Sequence, residues 1–242
     1  MNARDLVAVV SGGSNGIGEG ICRHLLDAGA EVINVDKVAP AKPLPGRYSF
    51  YQCDLTDAAA ARAVGAEIAE RHPVNALVNN AGFPTPGTLE EITDEDFDHG
   101  ANLHLRAAVI LSQAFLPRMK AERFGRIVNM SSRSILGKKA RTVYAGTKAA
   151  LVAYTRSWAI ELGEFGITVN AISPGPVLTE LFLKYQKPEV IEKLVGLTVV
   201  GRAGNPDDIA RAAMFFLSPD NSYVTGQVLH VCGGSSLGGA PW

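Results

Sequence analysis

Seven short runs rich in Val and Ile, separated by longer stretches of helical pattern, constrain this chain more than any other feature. They are Leu6–Val10, Glu31–Val35, Tyr48–Cys53, Ala76–Asn79, Arg126–Met130, Thr168–Ile172 and Val228–Val231. Strands alternating with helices build parallel sheets, because a parallel partner is reached only through a long crossover and not through a tight turn. Several of the runs are apolar at nearly every position, as strands are when helices cover both faces of their sheet. Helices are expected at Ile17–Ala28, Asp57–Arg71, Asp94–Lys120, Val143–Glu164 and Asp207–Leu217, the first closed by a glycine cap at Gly29. Between Asp36 and Asp54 there is only a Pro-rich stretch, Pro40–Pro45, so the helix of that crossover is expected to be short or missing. No repeat or low-complexity linker divides the 242 residues, and 47% hydrophobic residues against 19% charged suffice for one sizeable core. The expectation is one α/β domain over residues 1–242, doubly wound around a seven-stranded parallel sheet.

Charge and cysteine usage remove several function classes. Lys plus Arg number 23 and Asp plus Glu 24, a net charge of −1, which leaves no basic footprint for nucleic acid or an anionic membrane. No apolar run approaches the roughly 18 residues of a membrane span, and Leu6–Val10 is too short for a signal-peptide core. Cys22, Cys53 and Cys232 are too scattered for a disulfide framework or a zinc site. The histidines are dispersed, and His99 and His104 diverge on a helix, so no metal is expected. A cytoplasmic protein fits this pattern.

Ligands of doubly wound sheets bind beyond the carboxyl ends of the strands, at the point where strand order reverses. The first strand leads there into S-G-G-S-N-G-I-G, which starts at Ser11 and opens a helix. Gly12 permits the tight turn, Gly16 lets backbone approach a pyrophosphate, and Gly18 allows close helix–strand packing. The N–H groups and positive dipole end of the helix then face the phosphates. Asp36 ends the second strand 18 residues beyond Gly18. An acidic side chain there accepts both hydroxyls of an adenosine ribose, which favours NAD over NADP. Lys37 beside it partly offsets the repulsion of a 2′-phosphate.

The G-x-x-x-G-x-G spacing resembles the short-chain dehydrogenase/reductase family. The likeness extends through N-N-A-G at Asn79–Gly82, the helix carrying Asn102, Ser131–Ser132, Y-A-G-T-K at Tyr144–Lys148, and P-G at Pro174–Gly175. It implies a Rossmann fold and hydride transfer between a nicotinamide cofactor and a secondary alcohol or ketone. It implies a catalytic set of Ser132, Tyr144, Lys148 and Asn102, with Asn102 holding a water that links Lys148 to solvent. Cofactor contacts carried over by position are Gly12, Ser14, Asn15, Gly16, Ile17, Gly18, Asp36, Asp54, Leu55, Asn80, Ala81, Gly82, Tyr144, Lys148, Pro174, Gly175, Val177 and Thr179. The resemblance also implies a homotetramer, or a homodimer, formed through the two long central helices and the last strand. Ser11 stands where the family has threonine and keeps the hydroxyl.

The residues themselves support that chemistry. Tyr144 and Lys148 lie four apart on one helix and share a face. A tyrosine of ordinary pKa is a poor base, and bringing it to neutrality takes roughly 4 kcal/mol of phenolate stabilisation. The Lys148 ammonium and the cofactor's positive ring are expected to supply it. Ser132, 12 residues before Tyr144, is the second of the serine pair, with Ser131 as the competing candidate. Two other functions compete: a dinucleotide-binding regulatory protein without catalysis, and a sugar-nucleotide epimerase or dehydratase. The intact Ser132, Tyr144 and Lys148 oppose the first, and the short substrate loop at about 180–200 opposes the second. Arg133, Lys138, Lys139 and Arg141 form a basic run before Tyr144. It is either a site for an anionic substrate or a solvated or interfacial surface.

Overall fold

Alternate side chains of the first strand face opposite sides of one sheet, and each side finds its own helical layer. The structure, a computed structural model, describes residues 3–179, 183 and 188–237. The strands are β1 (Val7–Ser11), β2 (Glu31–Asp36), β3 (Tyr48–Gln52), β4 (Ala76–Asn79), β5 (Gly125–Met130), β6 (Ile167–Pro174) and β7 (Val228–Val231). They form one parallel sheet in the order β3-β2-β1-β4-β5-β6-β7. The helices are α1 (Gly16–Asp27), α2 (Ala58–Arg71), α3 (Asp94–Ala101), α4 (Ala107–Glu122), α5 (Thr142–Leu162), α6 (Pro188–Gly196) and α7 (Pro206–Leu217).

Val7 and Val9 of β1 join Ile33, Leu77, Ile127 and Val169 in a core completed by Ile68 of α2, Phe115 and Met119 of α4 and Leu162 of α5. Ala8 and Val10 join Val32, Val78, Val128 and Ile172 in a second core, closed by Ile21 and Leu25 of α1 and by Ile209 and Phe216 of α7. Each fully buried aliphatic or aromatic side chain is worth roughly 1.5–3 kcal/mol, so the two layers hold the strand ends in place. Helix ends are set locally. Asp57 accepts from Ala59 and Ala60 N–H at the start of α2, and Asn205 and Asp208 form a reciprocal cap around Pro206 at the start of α7. Arg126, a charged residue within β5, is buried and donates to the Ser218, Pro219 and Gly125 carbonyls, pinning the C-terminal end of α7.

Three differences from the sequence expectations have physical causes. The helix expected over Asp94–Lys120 is broken by a π-helical segment, Asn102–Arg106, in which Ala107 N–H reaches the Asn102 carbonyl. The substrate loop contains α6, whose start at Pro188 with Glu189 in the first turn follows ordinary N-terminal preferences. Residues 180–182 and 184–187 of that loop lie outside the described residues, as does the C-terminal 238–242. The glycine-loop helix begins at Gly16 rather than Ile17, with Asn15 as its N-cap. The β2–β3 crossover has no helix, as expected, and Leu44 packs against the core in its place.

Among the described residues no helix is long and apolar enough to cross a membrane, and no group of three His, Cys, Asp or Glu could hold a metal. The three cysteines are free and buried, and burial pushes the Cys22 thiol up to about 12.

Candidate active site

The carboxyl ends of β1, β4, β5 and β6 open onto a cavity of about 830 Å³ that straddles the reversal of strand order between β1 and β4. At its β1 edge the glycine loop is held by Ser11, whose hydroxyl accepts from Asn80 and Ala81 N–H at 2.9 and 3.0 Å. The serine therefore does what the sequence asked of that hydroxyl. Gly12 takes φ +69°, and a Cβ on Gly18 would lie 2.0 Å from the Gly12 carbonyl oxygen, so neither position admits a side chain. Gly12, Asn15, Gly16, Ile17 and Gly18 line the cavity with the N-terminus of α1. Ser14 does not line it. Its hydroxyl is turned inward, donating to the Val38 carbonyl and accepting from Asn34 at 2.9 Å.

Asp36 is anchored by backbone. Ser14 N–H donates to one carboxylate oxygen and Val38 N–H to the other, each at 3.1 Å. Lys37, Asp54 and Leu55 line the same end. The Asp54 carboxylate accepts from the Thr56 N–H and hydroxyl, which hold it below the usual carboxylate range. From the end of β2 to the end of β5 is three interstrand spacings, roughly 14 Å, a span that suits a dinucleotide. Asn80, Ala81 and Gly82 line the middle, and Pro174, Gly175, Val177 and Thr179 close the β6 side.

At the β5 end Ser132, Tyr144 and Lys148 converge on the cavity. The serine pair is resolved by its partners: both line the cavity, but Ser131 is buried and its hydroxyl is spent on the Lys148 carbonyl at 2.9 Å, whereas Ser132 is only partly buried. Ser132 Oγ accepts from both the N–H and the hydroxyl of Ser134, at 3.2 and 2.9 Å. Its own proton is thereby left to donate toward Tyr144. Burial raises the Tyr144 phenol above its ordinary value, while the hydrogen bond with Ser132 and the charge of Arg141 act the other way. Lys148 is buried, and desolvation brings its ammonium down to about 7. Its Nζ donates to the Met130 carbonyl at 2.7 Å and lies 5.9 Å from the Tyr144 ring centroid. In the cofactor-free protein the charge of Arg141 favours the phenolate, and Lys148 Nζ stands close to the same ring. Asn102 begins the π segment and does not line the cavity.

The family model described as Enoyl-(Acyl carrier protein) reductase matches residues 12–236. The (2S)-[(R)-hydroxy(phenyl)methyl]succinyl-CoA dehydrogenase subunit BbsD of Thauera aromatica is 34% identical, over 98% of this chain and 99% of its own. The NAD-dependent glycerol dehydrogenase of Listeria innocua is also 34% identical, over 98% and 96%. The chain belongs to the short-chain dehydrogenase/reductase family. A solved structure from Beutenbergia cavernae that holds NADP at low occupancy superposes with a TM-score of 0.90 at 33% identity, covering 96% of each chain. The protein is an oxidoreductase that transfers a hydride between a nicotinamide dinucleotide and an alcohol or ketone.

One residue of this dehydrogenase's site escaped the sequence reading. His104, in the π segment, is 2% exposed and edge-on to the Tyr144 ring, with centroids 5.6 Å apart. Its Nε2 accepts from Phe83 N–H at 3.2 Å, so its Nδ1 donates to Thr147 Oγ1 at 2.8 Å, and Thr147 in turn donates to the Tyr144 carbonyl. Burial and the nearby Lys148 push His104 down to about 2, and it stays neutral. The available signal was a histidine inside an apolar helical stripe, where only a hydrogen-bonded imidazole is tolerated. Read on an ideal α-helix, the same residue gave no such direction.

Proposed function

We propose that this oxidoreductase works with NAD, that Tyr144 is its acid and base, and that Ser132 holds the substrate oxygen. The observation that carries the reading is the meeting of Ser132, Tyr144 and Lys148 at one end of a cavity whose other end presents the anchored Asp36. The residues fit a dinucleotide: a Cβ on Gly82 would come 3.2 Å from both Lys148 Nζ and His104 Nε2, and a Cβ on Gly18 would block the loop. The N-terminus of α1 offers unpaired N–H donors to the phosphates. Bound there, the nicotinamide supplies the hydride for reduction or takes it up in oxidation.

Tyr144 is kept protonated by burial in the cofactor-free protein, the state needed to give a proton to a carbonyl oxygen. Ser132, with its lone pairs occupied by Ser134, donates to that same oxygen as alkoxide charge develops. In the oxidative direction Arg141 and Ser132 favour the phenolate that must accept the alcohol proton. Lys148 would hold the cofactor ribose and, with its ammonium near neutrality, is suited to pass the proton on. Asn102, at the head of the π segment, would position a water for that transfer.

The preference for NAD is supported by Asp36, whose carboxylate, held by two N–H donors, would oppose a 2′-phosphate. Residues 1–242 act as one catalytic unit in the cytoplasm, a reading supported by the free, buried cysteines. Assembly into a tetramer is supported by exposed apolar side chains on α5 and the edge strand β7, Ile160 and Leu229. The test is formation of NADH at 340 nm from a panel of secondary alcohols, repeated with NADP. Absence of NAD-linked turnover across the panel would refute the activity, and light scattering giving a mass near 25.6 kDa would refute the assembly.

A further inference from the structure

The basic run before Tyr144 divides in the structure: Arg133, Lys138 and Arg141 line the cavity, whereas Lys139 does not. Among the described residues the acidic ones of the cavity wall are Asp36, at the end of β2, and Asp54, just beyond β3. They are separated from the β5 end by roughly 14 Å or more of sheet. Among the described residues none of the three cations is paired with a carboxylate.

The two arginines are also held in place. Arg133 Nε donates to the Ser235 carbonyl at 2.9 Å, which leaves its outer N–H groups free. Arg141 follows Ala140, which adopts φ +56°, a left-handed conformation that is strained for an alanine. That conformation lets the Ala140 carbonyl accept from both Gly87 N–H and Arg141 Nη1. Strain of this kind persists where the surroundings demand it. Lys138 is held below the ordinary lysine range by partial desolvation and by repulsion from Arg141 and Arg133. Like charges gathered at a cavity wall without counter-charge are relieved by an anion. Phe83, Pro84, Leu194 and Leu197 supply the apolar wall for a carbon skeleton.

We propose that the substrate is a hydroxy or oxo acid whose carboxylate lies a few bonds from the reacting carbon and is received by Arg133, Lys138 and Arg141. The proposal rests on the oxidoreductase reading of this cavity. A carboxylate is favoured over a phosphate because phosphate sites are built on free backbone N–H groups. Here the Ser134, Ile135 and Gly137 N–H groups are already bonded within their own turn. Planar guanidinium forks suit a carboxylate.

The test measures binding to the enzyme–NADH complex, by fluorescence of the bound nucleotide, for hydroxy acids of three to eight carbons and an aromatic hydroxy acid. Each is compared with its primary amide and with the matching phosphorylated alcohol, and turnover with NAD is followed in parallel. At least one acid is expected to bind tenfold or more tightly than its amide. Lys138→Gln should remove most of that preference, while Lys139→Gln leaves it intact. Equal binding of acid and amide across the series overturns the proposal, as does a preference for the phosphate, or equal loss in the two lysine variants. Turnover of neutral alcohols with no charge preference would sink the proposal and leave the oxidoreductase reading standing.

Discussion

Replacing Lys148 by methionine is expected to stabilise the cofactor-free protein at neutral and acid pH while abolishing activity. The folded-state ammonium lies near 7 against 10.5 for an ordinary lysine, with burial as the cause. Each pH unit of that difference corresponds to about 1.4 kcal/mol, so keeping the charge buried below pH 7 costs about 5 kcal/mol. Because the folded value lies below the unfolded one, the unfolded chain holds the proton more tightly. Stability therefore rises with pH across the window from 7 to 10.5. Methionine removes this titration along with one charged hydrogen bond to the Met130 carbonyl, worth about 1.5–3 kcal/mol. The net gain at pH 6 is thus about 2–3 kcal/mol. The pH-dependent part needs no assumption about packing: the advantage of the variant at pH 6 should exceed that at pH 9 by about 3 kcal/mol. Urea unfolding of both proteins at the two pH values, without cofactor, measures this. A difference between the proteins that does not change with pH would show that Lys148 is not held near neutrality by burial.

Three further outcomes are expected. Tyr144→Phe should lower kcat at least a hundredfold, about 2.7 kcal/mol, with NADH affinity by fluorescence titration unchanged; retention of a tenth of the activity would remove Tyr144 from its role. Asp36→Ser should raise kcat/KM with NADP relative to NAD by tenfold to a hundredfold, since a carboxylate about 5 Å from a phosphate charge opposes it by roughly 3 kcal/mol before Lys37 and solvent reduce this. A ratio that stays put would mean that Asp36 does not face the ribose. His104 is held near 2 against an ordinary 6.5, so the unfolded chain gains its proton first and stability falls by about 1.4 kcal/mol per pH unit below 6.5. His104→Gln should flatten that acid limb in unfolding measurements between pH 4 and 7, and parallel curves for the two proteins would contradict the assignment.

The strands were legible because buried parallel strands leave runs of Val and Ile that few other structures need, and β1 to β7 fall where those runs are. The glycine loop and Asp36 were legible from their places at strand ends, whereas Ser132, Tyr144 and Lys148 were named from their likeness to a family's motifs, and the structure brings all of them to one cavity. What the sequence hid are relations across long separations. The partner of Lys148 Nζ is the carbonyl of Met130, and backbone carbonyls leave no mark in a sequence. The buried Asn79, Asn129 and Thr155 side chains bond one another beneath the cavity at 2.8 and 2.9 Å, though nothing in their spacing links them. The break in the long helix was hidden for the same reason, because every residue of Asn102–Arg106 suits an α-helix as well as a π turn. The placement of Arg141 follows a left-handed turn at Ala140, a conformation alanine does not advertise, and that of Arg133 a bond to the distant Ser235 carbonyl.

That π turn also absorbs a phase shift. Each residue advances an α-helix by about 100°, so one extra residue in a regular helix would offset everything after it by that angle, and the bulge absorbs it. Upstream, Gly100 is buried against Val143 and Thr147 of α5, and downstream Phe115 and Met119 enter the core beneath the sheet. The bulge lets both faces point inward while turning the His104 ring toward Gly82. A residue inserted between 102 and 106 would exceed what one bulge absorbs and turn the downstream face away, so that either the α5 contact or the core contact would have to be given up. Deleting a residue there would restore a continuous helix with both faces in register and lose only the turn that aims His104 at Gly82, so the segment tolerates shortening better than lengthening.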